Sequence, residues 1–335
     1  FEAAGGDGVV TTSNAAITAS LASAGVNAER QQLSITPPQA YGAPPTTGYA
    51  NDPVNTATGN FLEPECDLAF TGGSATLRFD RMYNSLNPDA GAFGPGWSSL
   101  AEAGLVLDAD GARWRHADGR VVVFPRQGAA WGRATSEAYW LGAAGEGFVV
   151  TDNAGGRWEF CAAGKLVAFD RGAGTRVELD WEGVRLVGLA HERGRSVLVE
   201  WADDRIVALA AGDGRRVDYA YDQAGRLVAA STGGATRSYA WNAAGLIERV
   251  TDSDGVVEAA NTYDEAGRVT EQVSRHGRVT RFSYLPGRVT VVADPDGERS
   301  NTWLHDDKGR LVGVVDAHDQ RQSMAYDGHG QLVMA

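Results

Sequence analysis

The chain has 335 residues, 43 of them glycine, only two cysteines, 43% hydrophobic content and a formal net charge of −13. That length allows one to three domains, and the glycine count asks for many turns. The acidic balance excludes a nucleic-acid-binding surface of clustered Lys and Arg, and an anionic membrane as partner.

Two cysteines exclude a disulfide framework and a Cys-rich zinc site, leaving room for a single Cys66–Cys161 bond. No stretch approaches the roughly 20 consecutive apolar residues that cross a bilayer, so no membrane span is expected. The chain opens at Phe1 with no initiator Met, basic n-region or apolar signal core, which reads as a processed or excised piece.

Residues 1–50 form the first unit, a Pro/Ala-rich leader that is irregular or helical. Ser13 to Leu33 is rich in Ala and Ser and predicts one helix, capped by Ser13 or Asn14. Pro37-Pro38 and Pro44-Pro45 then interrupt any regular element.

Residues 51–155 read as strands of irregular spacing. Ala75 to Tyr83 alternates, with Leu77, Phe79, Arg81 and Tyr83 on one face. Asp108-Ala109-Asp110-Gly111, Asp118-Gly119 and Asn153-Ala154-Gly155 supply hairpin turns. Trp97, Trp114, Trp131 and Trp140 give this region the bulk of a core.

Residues 156–335 carry a repeat. Its clearest copy is Tyr221-Asp222-Gln223-Ala224-Gly225-Arg226-Leu227, followed by copies led by Trp241-Asn242 (Gly245), Tyr263-Asp264 (Gly267-Arg268), His305-Asp306 (Gly309-Arg310) and Tyr326-Asp327 (Gly330). A shortened copy, Tyr284-Leu285-Pro286-Gly287-Arg288, fills the gap. Degenerate copies led by Phe160, Trp181 and Trp201 extend the same step of 20 to 22 residues upstream. A fixed period of this size marks a repeat array.

Asp or Asn opening a turn and Gly at its fourth position suit a type I hairpin turn with Gly at positive φ. A second turn half a period away appears at Asp213-Gly214, at Asp252 to Gly255 and at Asp294 to Gly297. Two strands and two turns fill the period, predicting an all-β, spiralling antiparallel sheet of hairpins. The array runs to Met334-Ala335, just after a turn, and is expected to continue beyond it.

Val217, Tyr219 and Tyr221 share one face of the strand, Arg216, Asp218 and Ala220 the other. The position two before each lead residue is Tyr219, Tyr239, Asn261, Phe282, Trp303 or Met324, a ladder of mostly large side chains.

Chemistry is sparse. Asp108/Asp110, Asp252/Asp254 and Asp294/Asp296 track the turns and lack the later oxygen ligands of a calcium loop. The six histidines show no zinc spacing, and no nucleophile elbow, phosphate loop or dinucleotide fingerprint occurs, so neither catalysis nor any cofactor is expected. His305 reads as a stand-in for the lead Tyr, and His329 as an exposed turn residue. Arg226, Arg268, Arg288 and Arg310 follow the repeat Gly and are expected to pair locally with the Asp that opens the turn.

The repeats resemble the Tyr-Asp (YD) repeats of Rhs proteins, relatives of the C component of insecticidal Tc toxins and of the teneurin shell. Three upstream motifs resemble the segment preceding such repeats: Asp52-Pro53 through Gly59, Arg78 through Tyr83-Asn84-Ser85, and Gly94-Pro95-Gly96-Trp97. The resemblance implies a structural role in secreted or exported polymorphic toxins of interbacterial competition, as a shell enclosing a C-terminal toxin or effector. It implies as partners the rest of the shell, that toxin and a component of the secretion apparatus. Residues 1–50 would then be a leader or a plug across the shell's opening, and roughly eight repeats are expected to be too few to close a cavity. A second class is a surface adhesion module whose repeat face binds carbohydrate or protein.

Overall fold

The computed structural model describes residues 41–70, 76–172 and 176–335. The helix expected within Ser13–Leu33 lies outside the described residues. Strands dominate what is described, and every pairing between them is antiparallel.

Nineteen strands, from Tyr139–Ala144 to Arg321–Ser323, form one sheet in which each pairs with its neighbours in sequence. Local turns suffice for such a meander, so the repeat needs no crossover connection. The sheet starts upstream of Phe160, the first lead residue legible in the sequence; the strands Tyr139–Ala144 and Gly147–Asp152 join it without the repeat signature. A short hairpin, Ala325–Tyr326 with Leu332–Met334, follows the sheet.

The sheet is a coil rather than a plane. Eighteen inter-strand gaps at about 4.8 Å each make an arc of roughly 86 Å. Yet His329 Nδ1, in the turn of the final hairpin, lies 3.1 Å from the carbonyl of Ala134, just before the first strand. The arc therefore bends back on itself.

Residues 41–131 sit inside and across one end of the coil. They contain a long hairpin, Leu62–Phe70 with Leu77–Asn84, extended by Trp97–Ser99, and a smaller sheet from Gly104–Leu107, Gly111–Arg115, Val121–Gln127 and Ala130–Trp131. One continuous core joins this insert to the coil, from Phe61, Phe79, Phe93, Trp97 and Trp114 to Leu186, Tyr219, Tyr239 and Phe282. The predicted alternation is kept: Val217 and Tyr219 face inward, whereas Arg216, Asp218 and Ala220 are exposed. Trp97 and Trp114 anchor this core, but Trp140 is 41% exposed. Alternation in its strand turns Leu141 inward and so puts Trp140 outside, under the Arg133 guanidinium. Cys66 and Cys161 are both free thiols.

Candidate functional site

The structure concentrates its specialised residues along one edge of the coil, where the lead turns meet the insert. Each turn is built alike. Asp222 accepts the Gly225 N–H through its carbonyl at 3.0 Å and the N–H groups of Ala224 and Arg226 through Oδ1 at 2.9 and 3.0 Å. Asp264 and Asp306 repeat this set, while Asn242 and Asp327 supply the same acceptor to Leu246 and Gln331. Gly225, Gly245, Gly267, Gly309 and Gly330 all lie at positive φ, between 72° and 81°.

Three of the four recurring arginines fold back as expected, Arg226 onto Asp222 at 2.7 Å, Arg268 onto Asp264 at 2.7 Å and Arg310 onto Asp306 at 2.6 Å. They also lie over the next lead aromatic, with Arg268 4.6 Å from the Tyr284 ring and Arg310 5.1 Å from that of Tyr326. Arg288 differs. Its shortened loop has no Asp, Gly287 and Arg288 both take positive φ, and the pairing from Leu285 to Val289 proceeds without the register shift seen in the fuller copies.

Most of the lead residues share a task that sequence reasoning did not reveal. Six reach back one repeat and donate to a backbone carbonyl, Trp181 to Leu166, Trp201 to Leu186, Tyr221 to Ile206, Trp241 to Leu227, Tyr263 to Ile247 and Tyr284 to Val269, at 2.6 to 2.8 Å, whereas Phe160 carries no donor and Tyr326 meets the Thr46 carbonyl. His305 reaches back likewise through Nδ1, 3.1 Å from the Arg288 carbonyl. A neutral ring protonated at Nδ1 serves that carbonyl, while Nε2 lies 3.0 Å from the Thr56 hydroxyl, itself 3.0 Å from the Gly48 carbonyl. Burial favours that neutral state by lowering the His305 pKa. From Trp181 to His305 the requirement is thus an aromatic ring with a polar tip, which explains why Tyr, Trp and His interchange there.

The insert is stitched to this edge in reverse chain order. The Thr46 carbonyl accepts from Leu311 N–H at 2.8 Å, that of Gly59 from Val269 at 3.0 Å, the Tyr83 hydroxyl from Ile247 at 3.1 Å and the Ala92 carbonyl from Ile206 at 3.0 Å. Leu105 N–H then donates to Gly164 at 2.7 Å, near the start of the array. Segment 134–136 completes the circuit against the last turn, where a Cβ at Gly330 would come 2.1 Å from the Ser136 carbonyl. At the opposite edge the insert makes fewer contacts, the hairpin end reaching Arg215 through the Ala69 carbonyl at 2.9 Å and Arg195 and Arg215 through the Phe70 ring.

The upstream motif residues fall on or beside these seams. Asp52 exchanges backbone hydrogen bonds with the Gln272 amide, and the Pro53 carbonyl accepts from Leu62. Gly59 and Gly94, at φ of 77° and 94°, leave room for the array: a Cβ at either would come 2.5 Å from Arg268 Cβ or the Gly225 carbonyl. Gly96 lies against the Tyr83 ring, and Trp97 packs edge-on to Tyr239 with centroids 5.3 Å apart. Asn84 binds Gly42, Asn60 and Asp118, and Ser85 binds the Phe61 N–H. Arg78 stands apart, exposed and paired with Asp80 within its own strand.

The buried arginine of that strand is Arg81, on the face predicted to point inward. Its Nε donates to Asp67 at 2.7 Å and a terminal nitrogen to the Tyr239 hydroxyl at 2.7 Å, with the guanidinium 4.2 Å from the Trp97 ring. Burial opposes its charge, but Asp67 and the tyrosine hydroxyls outweigh that and raise its pKa well above normal. Tyr219 also donates to Asp67, at 2.7 Å. One ion pair therefore locks the inner hairpin to two repeats. His329, read as an exposed turn residue, is half-buried instead, because the coil brings its ring to Ala134.

Among the described residues no group of three His, Cys, Asp or Glu could hold a metal ion, and no helix is long and apolar enough to cross a membrane. Local turn chemistry accounts for the acidic pairs.

Comparison with known proteins agrees with the architecture. The teneurin YD-shell family matches residues 189–335, and a domain of unknown function, DUF6531, matches residues 51–124. No curated protein matches the chain. Among solved structures, TcdB2-TccC3 without its hypervariable C-terminal region aligns at 12% identity and a TM-score of 0.35, over 68% of this chain and 16% of that one. The Tc holotoxin pore of Photorhabdus luminescens, carrying a TccC3 mutation, aligns at 15% identity and a TM-score of 0.30, over 93% and 17%. The chain thus spans about one sixth of those structures, and alignments this loose carry no argument. The two family matches, the repeat and the long antiparallel sheet do: together they support an Rhs/YD-repeat shell family for residues 51–124 and 189–335.

Proposed function

We propose that this chain is a non-catalytic wall segment of an Rhs/YD-repeat toxin shell, closing one end of a container for a C-terminal toxin or effector. The observation that carries the reading is the reversed circuit of seams from Thr46 to Leu105, which binds one edge of the coil to the insert along the array, while the other edge meets it at Ala69 and Phe70. Such a seal hides strand edges and excludes solvent from one mouth. The interior of this segment is filled by its own hairpin, so any cargo space would lie beyond the edge opposite the seams. The partners would be the rest of the shell and the enclosed toxin, with a secretion-apparatus component, and the setting export from the cell or delivery into a target.

We propose also a working division in which residues 51–155 cap the coil and lend it two strands, and residues 156–335 form its wall. The repeat residues from Tyr221 to Gly330 would act as its structural code and the motif residues from Asp52 to Trp97 as its cap contacts.

The test is to express the C-terminal segment encoded after this chain with and without residues 1–335. Encapsulation predicts lower toxicity and slower proteolysis when they are present. Equal toxicity and equal protease sensitivity would overturn it. An adhesion module remains the second reading, favoured by the exposed ring of Trp140. Saturable glycan or cell binding lost in Trp140→Ala would support adhesion instead.

A further inference from the structure

The inner hairpin meets the array a second time, at a junction short of positive charge. Arg237 of the strand Ala235–Trp241 bonds three carboxylates at once: Glu63 at 2.6 Å, Glu65 and Glu258. Glu63 is 6% exposed and Glu65 also accepts the Tyr239 hydroxyl at 2.6 Å. The groups facing Glu63 are Glu65 and Tyr83 on its own hairpin, Arg237 beside it, and Glu258 and Tyr263 of the strand Val257–Tyr263. Two further cations are near: Arg275, 48% exposed and 3.5 Å from Glu258, and the buried Arg81, which is already paired with Asp67 and reaches Glu65 through the Tyr239 hydroxyl. One half-buried guanidinium, 25% exposed, cannot compensate three carboxylates, so a proton on the buried Glu63 relieves the imbalance.

We propose that this proton is a pH-sensitive latch: with Glu63 protonated, the inner hairpin is clamped to the coil, and loss of the proton releases it. The latch acts on seating of the hairpin and holds whether or not the coil encloses a cargo. Burial, then Glu65, push the Glu63 carboxyl up to about 7, against an ordinary 4.5. A carboxyl raised on folding binds its proton more tightly in the seated state. Its stabilising effect is therefore full below pH 4.5, and is lost as pH rises to about 7. The junction loosens toward alkaline pH, opposite to the behaviour of an ordinary ion pair.

The experiment is hydrogen–deuterium exchange of the intact chain between pH 6 and pH 8.5, corrected for intrinsic exchange, reading residues 62–70 and 77–84. Linkage between those two pKa values makes the opening constant of this hairpin about tenfold larger at pH 8.5 than at pH 6. Glu63→Gln, which keeps the hydrogen bonds and cannot ionise, should hold the hairpin closed across the range. Should that variant fail to fold, Glu65→Gln removes the neighbouring charge that raises Glu63 and should make the rise smaller. A wild-type profile that is flat over this range, or a folded variant that keeps the tenfold rise, overturns the latch.

Discussion

At the scale of single residues, the lead position from Trp181 to His305 is defined by two requirements at once, bulk and a donor. Tyr263→Phe keeps the ring but removes the bond to the Ile247 carbonyl, and should cost about 1 kcal/mol in urea denaturation. The contrast between Arg81 and Arg78 is sharper. Arg81→Met strands the Asp67 carboxylate in the core beside one hydroxyl and should cost about 3–5 kcal/mol. Arg78→Met loses an exposed pair and should cost about 1 kcal/mol or less. Equal losses in the two variants would show that Asp67 relaxes to solvent.

At the scale of elements, what was legible in the sequence was what is local. Asp222-Gln223-Ala224-Gly225 closes its turn with bonds among its own residues, so composition and spacing sufficed to read it. Alternation alone placed Arg81 on the buried face. The Asp67 and Tyr239 that make it tolerable there could not be read, because Tyr239 is 158 residues away. For the same reason His329 read as a turn residue, since only closure of the coil supplies Ala134.

The insert's first segment shows a pH response opposite to that of the Glu63 junction. Burial pushes Asp118 up, but Arg120, then His116 and the Ala43 N–H, hold its carboxyl below the usual range. A depressed carboxyl contributes stability above its ordinary pKa near 3.8 and loses it as pH falls further. Amide exchange of residues 41–48 should therefore quicken only below about pH 4. Protection unchanged at pH 2.5 would mean that Asp118 does not hold this segment.

For the whole molecule, closure decides how stability is distributed. In an open repeat array it is a sum of neighbour terms, and the ends fray independently. Here the insert contacts repeats from Gly164 to Leu311, and segment 134–136 meets the last turn, so opening one seam relaxes the constraint that the others maintain. Two glycines probe this without touching each other. A Cβ at Gly94 would strike the Gly225 carbonyl, and one at Gly330 the Ser136 carbonyl, each at a positive φ that disfavours alanine. Distant, independent sites add to within about 0.5 kcal/mol. In the coil the second breach should cost less than the first, because strain across the circuit is already released. Chemical denaturation of Gly94→Ala, Gly330→Ala and the double variant should therefore give a double loss at least about 1 kcal/mol smaller than the sum. Additive losses would mean that the seams act one by one and that the coil is an open array lying on its insert.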